Sequence, residues 1–156
     1  MSRRALSLAA CLTLSLSACG HDTPGPAIVD QDTALEYGGY ASGWTDCWQS
    51  FTAGRSGFLT AVRVWAFLPP DVALTLYEGE GISGGALAAT TSLVDLGADR
   101  WEAALPGVPL TAGWTYTIRL TAASDLNWIV GTNDYAGGLN NVYGGEADFG
   151  VTTYVR

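Results

Sequence analysis

Apolar and polar side chains alternate with a period of two over most of the chain beyond residue 45. Alternation places successive side chains on opposite faces of an extended strand, so the pattern predicts short strands and not helices. Glycine and proline turns separate the alternating runs. The predicted strands are Cys47–Thr52, Phe58–Phe67, Val72–Tyr77, Ala86–Val94, Trp101–Leu105, Trp114–Leu120, Leu126–Val130 and Phe149–Val155. This spacing predicts an all-β domain, a sandwich or a barrel, of which we favour a two-sheet antiparallel β-sandwich.

Two of these runs have clearly different faces. In Phe58–Phe67, one face is aliphatic and the other carries Arg63, Trp65 and Phe67. In Trp114–Leu120, every second residue is large and apolar, which predicts that this face points into the core. The predicted core positions are Val62, Val64, Ala66, Trp114, Tyr116, Ile118 and Leu120.

The N-terminal stretch differs from the rest of the chain. Arg3 and Arg4 precede an apolar run from Ala5 to Leu16. A basic start and a short apolar run are typical of a secretory signal peptide, and a membrane-spanning helix would need about 20 apolar residues. We therefore predict a helical signal segment over residues 1–18.

The tetrapeptide Leu16-Ser17-Ala18-Cys19 resembles the lipobox of bacterial lipoproteins. The resemblance implies that Cys19 receives a diacylglyceryl group and becomes the mature N-terminus. The alternative is a plain signal peptide that contains a cysteine. The predicted organisation is a signal peptide over 1–18, a lipidated cysteine and flexible tether over 19–29, and one β-sandwich over 30–156. We expect the protein in the cell envelope, outside the cytoplasm, anchored to a membrane through its lipid and either periplasmic or at the surface.

The mature domain is strongly acidic. From Cys19 onward the sequence has five arginines and no lysine against fifteen carboxylates, a formal charge of −10. Such a domain would neither bind nucleic acid by neutralising phosphates nor bind anionic lipid through charge. Membrane attachment is therefore expected to come from the acyl chains.

Cysteine and histidine are too scarce for common catalytic and zinc sites. Cys11 leaves with the signal peptide and Cys19 carries lipid, so Cys47 has no partner for a disulfide and is predicted to be a small buried thiol. The one histidine, His21, lies in the tether, so the domain lacks the base of Ser-His-Asp and Cys-His catalysis. A pair of carboxylates acting on glycosides stays formally open, but the sequence marks no pair. We predict no enzymatic activity.

Several segments together resemble a family of bacterial jelly-roll modules found in secreted and surface proteins. They are Trp48–Ala53 with Gly57–Val62, Leu76–Gly81 with Gly84–Leu87, Pro109–Ile118, and Tyr135–Gly138 with Asp148–Val155. These modules are similar to carbohydrate-binding and galactose-binding-like sandwiches. The resemblance implies a jelly roll over nearly all of residues 45–156 and a ligand-binding role.

The segment 133–145 has the composition of a sugar-binding loop. Aromatic rings stack on the apolar face of a sugar, while amides and carboxylates bond to its hydroxyl groups. The candidate residues are Asn133, Asp134, Tyr135, Asn140, Asn141 and Tyr143. The alternative, which we favour, is that the Asn-Asp and Asn-Asn pairs form turns and the tyrosines pack over them.

A second candidate surface is the outward face of Phe58–Phe67. Arg63 and Trp65, together with Phe67 and Tyr77, would form an aromatic platform beside a cation. The alternative, which we favour here too, is that another part of the chain covers this face.

Calcium is the one metal that the sequence brings into consideration, as a structural ion between the first and last strands. Asp30, Asp32 and Asp148 supply the hard oxygen ligands that calcium prefers. No spacing in the sequence matches a dedicated calcium loop. No other cofactor is predicted.

These observations predict a lipid-anchored, non-catalytic binding module for a glycan or another cell-envelope ligand. The alternative is a structural or protein-interaction lipoprotein of the envelope that binds no sugar.

Overall fold

The computed structural model describes residues 25–33, 37–132, 136–144 and 147–156. The regular structure in these ranges is entirely β-strand, and the predicted signal segment and Cys19 lie outside them. The strands are β1 Ile28–Asp32, β2 Tyr37–Thr52, β3 Gly57–Phe67, β4 Ala73–Glu78, β5 Ala86–Thr90, β6 Leu93–Gly97, β7 Arg100–Leu110, β8 Thr115–Thr132, β9 Ala147–Phe149 and β10 Val151–Val155. Within the described ranges there is no helix with the length and hydropathy to cross a membrane.

The strands form one hydrogen-bonded network in which each pairing is antiparallel. One part, the first arm, has the order β1-β10-β3-β7-β6. The other part, the second arm, has the order β5-β4-β8-β2, and the short β9 pairs with the end of β8. The end of β3 joins the arms, because Ala66 pairs with Trp128 and Phe67 with Asn127 of β8. The prediction of an all-β, antiparallel fold is confirmed.

Both arms contribute to a single hydrophobic core. Leu59, Val62 and Val64 of β3 are fully buried, as are Ile118 and Leu120 of β8. From Val62 onward the buried residues of β3 alternate with more exposed side chains, which is the period-two pattern of a strand with one face in the core, and the irregular register between Leu59 and Ala61 shifts this alternation by one residue. Burial of this apolar face is the main force that holds the two arms together.

An aromatic stack lies where the arms converge. The rings of Trp128 and Phe149 are nearly parallel, with centroids 4.5 Å apart. Trp128 Nε1 donates a hydrogen bond to the carbonyl oxygen of Gly150 at 3.1 Å. Gly150 separates β9 from β10, so this contact fixes the point at which the chain passes from the second arm to the first.

Several predicted strands differ from the observed ones in length. The runs Trp114–Leu120 and Leu126–Val130 are joined in one strand, β8, which continues through residues 121–125, where its pairing with β2 has an irregular register. The single weak run Ala86–Val94 is two strands, β5 and β6, which belong to different arms. Ile28 and Val29, assigned to the tether from the sequence, lie in β1 and pair with β10.

One predicted core position is wrong. Trp114 is 55% exposed, whereas Tyr116, Ile118 and Leu120 are buried as expected. The reason is that Trp114 precedes β8 and lies in the turn after β7, where its N–H donates to the carbonyl oxygen of Thr111 at 3.1 Å. The alternation begins with the strand itself, so it does not apply to a residue of the preceding turn.

The molecule has two ends, which we name from β3. The lower end holds the start of β3, the start of β1 and the turn before β8, and the upper end holds the end of β3 and the β6–β7 turn. At about 3.3 Å per residue, β3 separates these ends by roughly 30 Å.

Candidate functional site

A groove of about 200 Å³ lies at the upper end of the molecule. We call it the upper groove. The end of β3 forms one wall, and the β6–β7 hairpin forms the other. Its lining residues are Ala66, Phe67, Leu68, Asp95, Gly97, Ala98, Asp99 and Trp101. The residues that line the groove thus include two aromatic and two acidic ones.

The two aromatic residues of the upper groove pack against residues that do not line it. Phe67 is 46% exposed, and the ring of Tyr40 from β2 lies 5.1 Å from its ring. Trp101 is half-buried and packs against the core, opposite Val64 of β3. One ring is thus fixed by the core and the other by a neighbouring aromatic, so both present defined surfaces.

The β6–β7 turn gives the groove its carboxylates. Asp95 Oδ1 accepts a hydrogen bond from Gly97 N–H at 2.7 Å, and the carbonyl oxygen of Asp99 accepts one from Ala66 N–H at 2.8 Å. Ala98 and Asp99 both have positive φ, of 52° and 59°. Two central residues with positive φ are the geometry of a type I′ hairpin turn, which favours Asn-Gly over Ala-Asp. The turn therefore carries conformational strain beside the groove.

Replacing Ala98 by asparagine and Asp99 by glycine is expected to stabilise the protein. Left-handed backbone costs an alanine about 1–2 kcal/mol, and Asn-Gly relieves much of that strain. We expect the free energy of unfolding to rise by about 1 kcal/mol, measured by chemical denaturation. An unchanged or lower stability would contradict the strained turn.

The two asparagines of the predicted sugar-binding loop bond to the protein's own backbone. Asn140 is buried: its Oδ1 accepts from the N–H groups of Val142 and Tyr143, and its Nδ2 donates to the carbonyl oxygen of Ala147. Asn141 Oδ1 accepts from Trp48 N–H at 2.8 Å. These amides hold the loop in place, which agrees with the turn-forming alternative for this part of the segment.

The aromatic members of that loop are placed only in part. Tyr143 is 38% exposed, and its ring meets the edge of Phe149 at 6.5 Å between centroids. Asn133, Asp134 and Tyr135 lie outside the described residues. The described loop residues therefore bring one tyrosine to the surface and no free amide beside it.

The predicted platform around Arg63 is divided between the two arms. Arg63 Nη2 donates to Glu102 at 2.7 Å, and its guanidinium lies 5.0 Å from the centroid of the Tyr154 ring. Trp65 is half-buried on the same strand. Tyr77 lies on β4 of the second arm, where it pairs with β5 and β8. Arg63 is thus engaged by neighbours of its own arm, and Tyr77 is not part of that face.

The three carboxylates considered for calcium have separate partners. Asp30 accepts from Gly54 N–H at 3.1 Å and faces Arg55, whereas Asp32 accepts from the hydroxyl of Thr152 at 2.7 Å. Asp148 is buried beside the amide of Gln49. Among the residues that the structure describes, no three His, Cys, Asp or Glu side chains are grouped closely enough to hold a metal ion. The calcium site stays a prediction without geometric support in this region.

The outward face of the second arm carries a charged cluster that the sequence reasoning did not identify. Arg119 donates to both carboxylate oxygens of Asp46, at 2.8 and 2.6 Å, and to the hydroxyl of Tyr77 at 3.2 Å. These hydrogen bonds raise the pKa of Arg119, so its charge is permanent. Cross-strand pairing with Arg119 also places Trp48 on this face. The alternation of side chains in β2 and β8 is the sequence signal that could have identified this charged cluster.

A second groove lies at the lower edge of that outward face. Its volume is about 340 Å³, and its lining residues are Thr52, Glu80, Thr115, Ala136, Gly137, Gly138 and Leu139. None of these lining side chains is aromatic. The upper groove is therefore the better match to a ligand that requires ring stacking.

The single cysteine of the domain is chemically quiet. Cys47 is fully buried and unpaired, as its isolation in the sequence predicted. Burial, assisted by the nearby charge of Asp46, raises the pKa of its thiol to about 12. The nucleophilic thiolate is therefore essentially unpopulated at neutral pH.

No protein-family model matches the chain, and no curated protein matches it.

Proposed function

We propose that the protein is a lipid-anchored, non-catalytic binding module of the cell envelope that holds a glycan in the upper groove. In this proposal the two arms are the two sheets of a jelly-roll sandwich, and the lipid is carried by Cys19. The observation that carries the ligand class is the pairing of Phe67 and Trp101 with Asp95 and Asp99 in one groove.

The chemistry of a sugar explains why this combination matters. A pyranose has an apolar face of C–H groups, which stacks on an aromatic ring, and a rim of hydroxyl groups, which donate to carboxylates. Hydrogen bonds to charged acceptors are the stronger ones, so Asp95 and Asp99 would orient the ring. A volume of about 200 Å³ suits one sugar unit, such as the end of a chain.

A non-catalytic role is consistent with the side chains available. Cys47 is buried with a raised thiol pKa, and the one histidine of the sequence belongs to the predicted tether. The domain thus offers no activated nucleophile of the Ser-His or Cys-His kind. Ligand binding, in contrast, requires only the aromatic and acidic residues that line the upper groove.

Asp95→Asn is the sharpest test of this proposal. Asparagine keeps an Oδ1 acceptor for Gly97 N–H, so the turn is retained while the charge is lost. A glycan array would first identify a binding sugar, and titration of tryptophan fluorescence would then give its Kd. We expect Asp95→Asn to weaken binding about tenfold or more, since hydrogen bonds to charged groups contribute about 1.5–3 kcal/mol.

The matched control is Asp71→Asn. Asp71 is also exposed and also accepts from a backbone N–H, that of Ala123 at 2.7 Å, but it does not line the groove. Its loss of charge should leave the Kd unchanged. Equal effects of the two substitutions, or no binding across the array, would contradict the proposal. Binding that is abolished by Tyr143→Ala instead would move the site to the loop.

A protein-binding role is the second candidate, and the edge of the first arm favours it. Val94 of the edge strand β6 is 61% exposed, and Leu96 on the same strand is 39% exposed. An exposed edge strand with apolar side chains can add a strand from a partner. Under this alternative, Val94→Lys would abolish co-purification of an envelope protein, while Asp95→Asn would have no effect.

A further inference from the structure

We propose that the lower end of the domain seats directly on the membrane surface, with Trp114 and Phe58 entering the interface. This inference rests on the proposed lipid anchor at Cys19 and goes beyond it, because a lipid on a tether does not require the domain to touch the bilayer. It concerns the end of the molecule opposite the upper groove.

Large apolar side chains are exposed at the lower end. Phe58 is 56% exposed and Trp114 is 55% exposed, and both belong to segments that are well bonded. Phe58 N–H donates to the carbonyl oxygen of Arg156 at 2.8 Å, and the carbonyl oxygen of Trp114 accepts from Ala53 N–H at 2.9 Å. Ile28 and Val29 of β1 are 46% and 47% exposed at the same end. Exposed aromatic and aliphatic side chains on a rigid end can enter an interface without a large ordering cost.

The course of the chain favours a lipid surface as the occupant. The first strand, β1, starts at Ile28, where it pairs with Val155 at the lower end. Cys19 precedes Ile28 by nine residues. Even fully extended, nine residues span only about 30 Å. A lipid on Cys19 thus keeps the lower end close to the bilayer, which gives its apolar side chains a high effective concentration at the interface.

The charges of the two ends favour the same orientation. Among the described residues, the upper end carries Asp71, Asp95, Asp99 and Asp125 with Arg100 as its cation. The lower end carries Arg55 and Arg156, with Asp30 facing Arg55, and Glu78 and Glu80 at its side. The lower end is therefore closer to neutral, so an anionic membrane repels it less. Tryptophan is also, with tyrosine, enriched at membrane–water interfaces.

This orientation has a consequence for the proposed ligand site. The upper groove would face away from the bilayer, at a distance set by the length of β3, roughly 30 Å. A groove in that position can reach glycans that extend from other structures of the envelope. The second groove, lined by Thr52 and Thr115 among others, would in contrast lie beside the membrane.

Depth-dependent quenching of tryptophan fluorescence tests the seating. The full-length protein would be exported and lipidated in a bacterial host, purified in detergent, and reconstituted into vesicles of phosphatidylcholine and phosphatidylglycerol. Part of the phosphatidylcholine would carry bromine on its acyl chains, which quenches only indoles at the membrane. We expect Trp114→Phe to remove most of the quenchable emission. The matched control is Trp44→Phe, which changes a tryptophan of similar exposure, 43%, near the upper end. This substitution should leave the quenchable emission unchanged.

The outcomes separate the seating from the anchor. The amount of protein that floats together with the vesicles measures the lipid anchor. Cys19→Ser is expected to abolish this co-flotation. If the protein floats but Trp114 is not quenched, the anchor stands and the seating is wrong. If the lipid-modified protein does not float, both are wrong. Quenching by acrylamide in solution gives a second measurement on the unsubstituted protein. Vesicle binding should shield one exposed indole from acrylamide. The Cys19→Ser protein should show no such shielding.

Discussion

Replacing Trp128 by alanine is expected to lower the free energy of unfolding by about 3–5 kcal/mol, enough to remove much of the stability of a small domain. Trp128 is the largest of the fully buried side chains in the part of the chain that the structure describes. Its removal leaves a cavity and unpairs the stacked ring of Phe149, 4.5 Å away. It also leaves the buried carbonyl oxygen of Gly150 without its indole donor. These three losses act at one place, where β3, β8, β9 and β10 meet.

The size of the effect depends on this position. Trp128 pairs across the sheet with Ala41 of β2 on one side and Ala66 of β3 on the other. These two small neighbours leave room for the indole, and neither alanine side chain can reach into the space after its removal. A cavity that cannot collapse costs more than one that can, so the upper part of the range is expected.

Two variants make the measurement specific. Trp128→Phe keeps an aromatic ring for the stack and loses the indole N–H, so we expect a smaller loss than for alanine. Trp44→Ala removes an indole that is 43% exposed and should change stability by about 0.5 kcal/mol or less. Urea denaturation followed by circular dichroism gives all three values. A Trp128→Ala loss no larger than that of Trp44→Ala would show that the arms are not held at this point.

The strands were predictable where one face is apolar and the other is not. In β3, Val62, Val64 and Ala66 are fully buried, as the alternation predicts, and Arg63 and Trp65 between them are more exposed. The same reasoning failed at Trp114, because alternation describes a strand and gives no sign of where the strand begins. Composition alone places a tryptophan in the core, but hydrogen bonding put this one in a turn.

Strand partners could not be read from the same pattern. Ala86–Val94 has no break stronger than Thr90-Thr91-Ser92, yet β5 pairs with β4 and β6 pairs with β7. The division depends on which edges are open in the two arms, which is a property of the whole fold. The upper groove was missed for this reason: it needs the end of β3 beside the β6–β7 turn.

The candidate loop shows the same limit for polar residues. Asparagine is as suited to a turn as to a ligand, and the sequence contained both interpretations for Asn140 and Asn141. The sequence does not show where the loop lies in the fold. Residues 137–141 run along the free side of β2, so the backbone of β2 becomes the partner of these amides. A loop in that position covers an edge that would otherwise be open.

Gly138→Ala is expected to lift this loop from β2 and to cost about 2–4 kcal/mol of stability, since buried polar groups lose their partners. A Cβ on Gly138 would overlap the carbonyl oxygen of Ser50. That atom belongs to the backbone of β2, so it cannot move aside as a flexible side chain would. The loop must move instead, and three short hydrogen bonds would break: Ser50 N–H to the Leu139 oxygen at 2.8 Å, Leu139 N–H to Ser50 Oγ at 2.7 Å, and Thr52 Oγ1–H to the Gly137 oxygen at 2.8 Å.

Gly85→Ala provides the matched control, because a Cβ on Gly85 meets no atom within 4 Å. At such an open site the change should be small and can stabilise by reducing the freedom of the unfolded chain. Hydrogen exchange then locates the effect of Gly138→Ala. Ser50 N–H, buried in the folded protein, is expected to exchange faster, while the N–H groups that pair β3 with β7 should keep their protection unless the whole domain unfolds. Equal stability of the two variants would mean that the loop does not lie against β2 at Gly138.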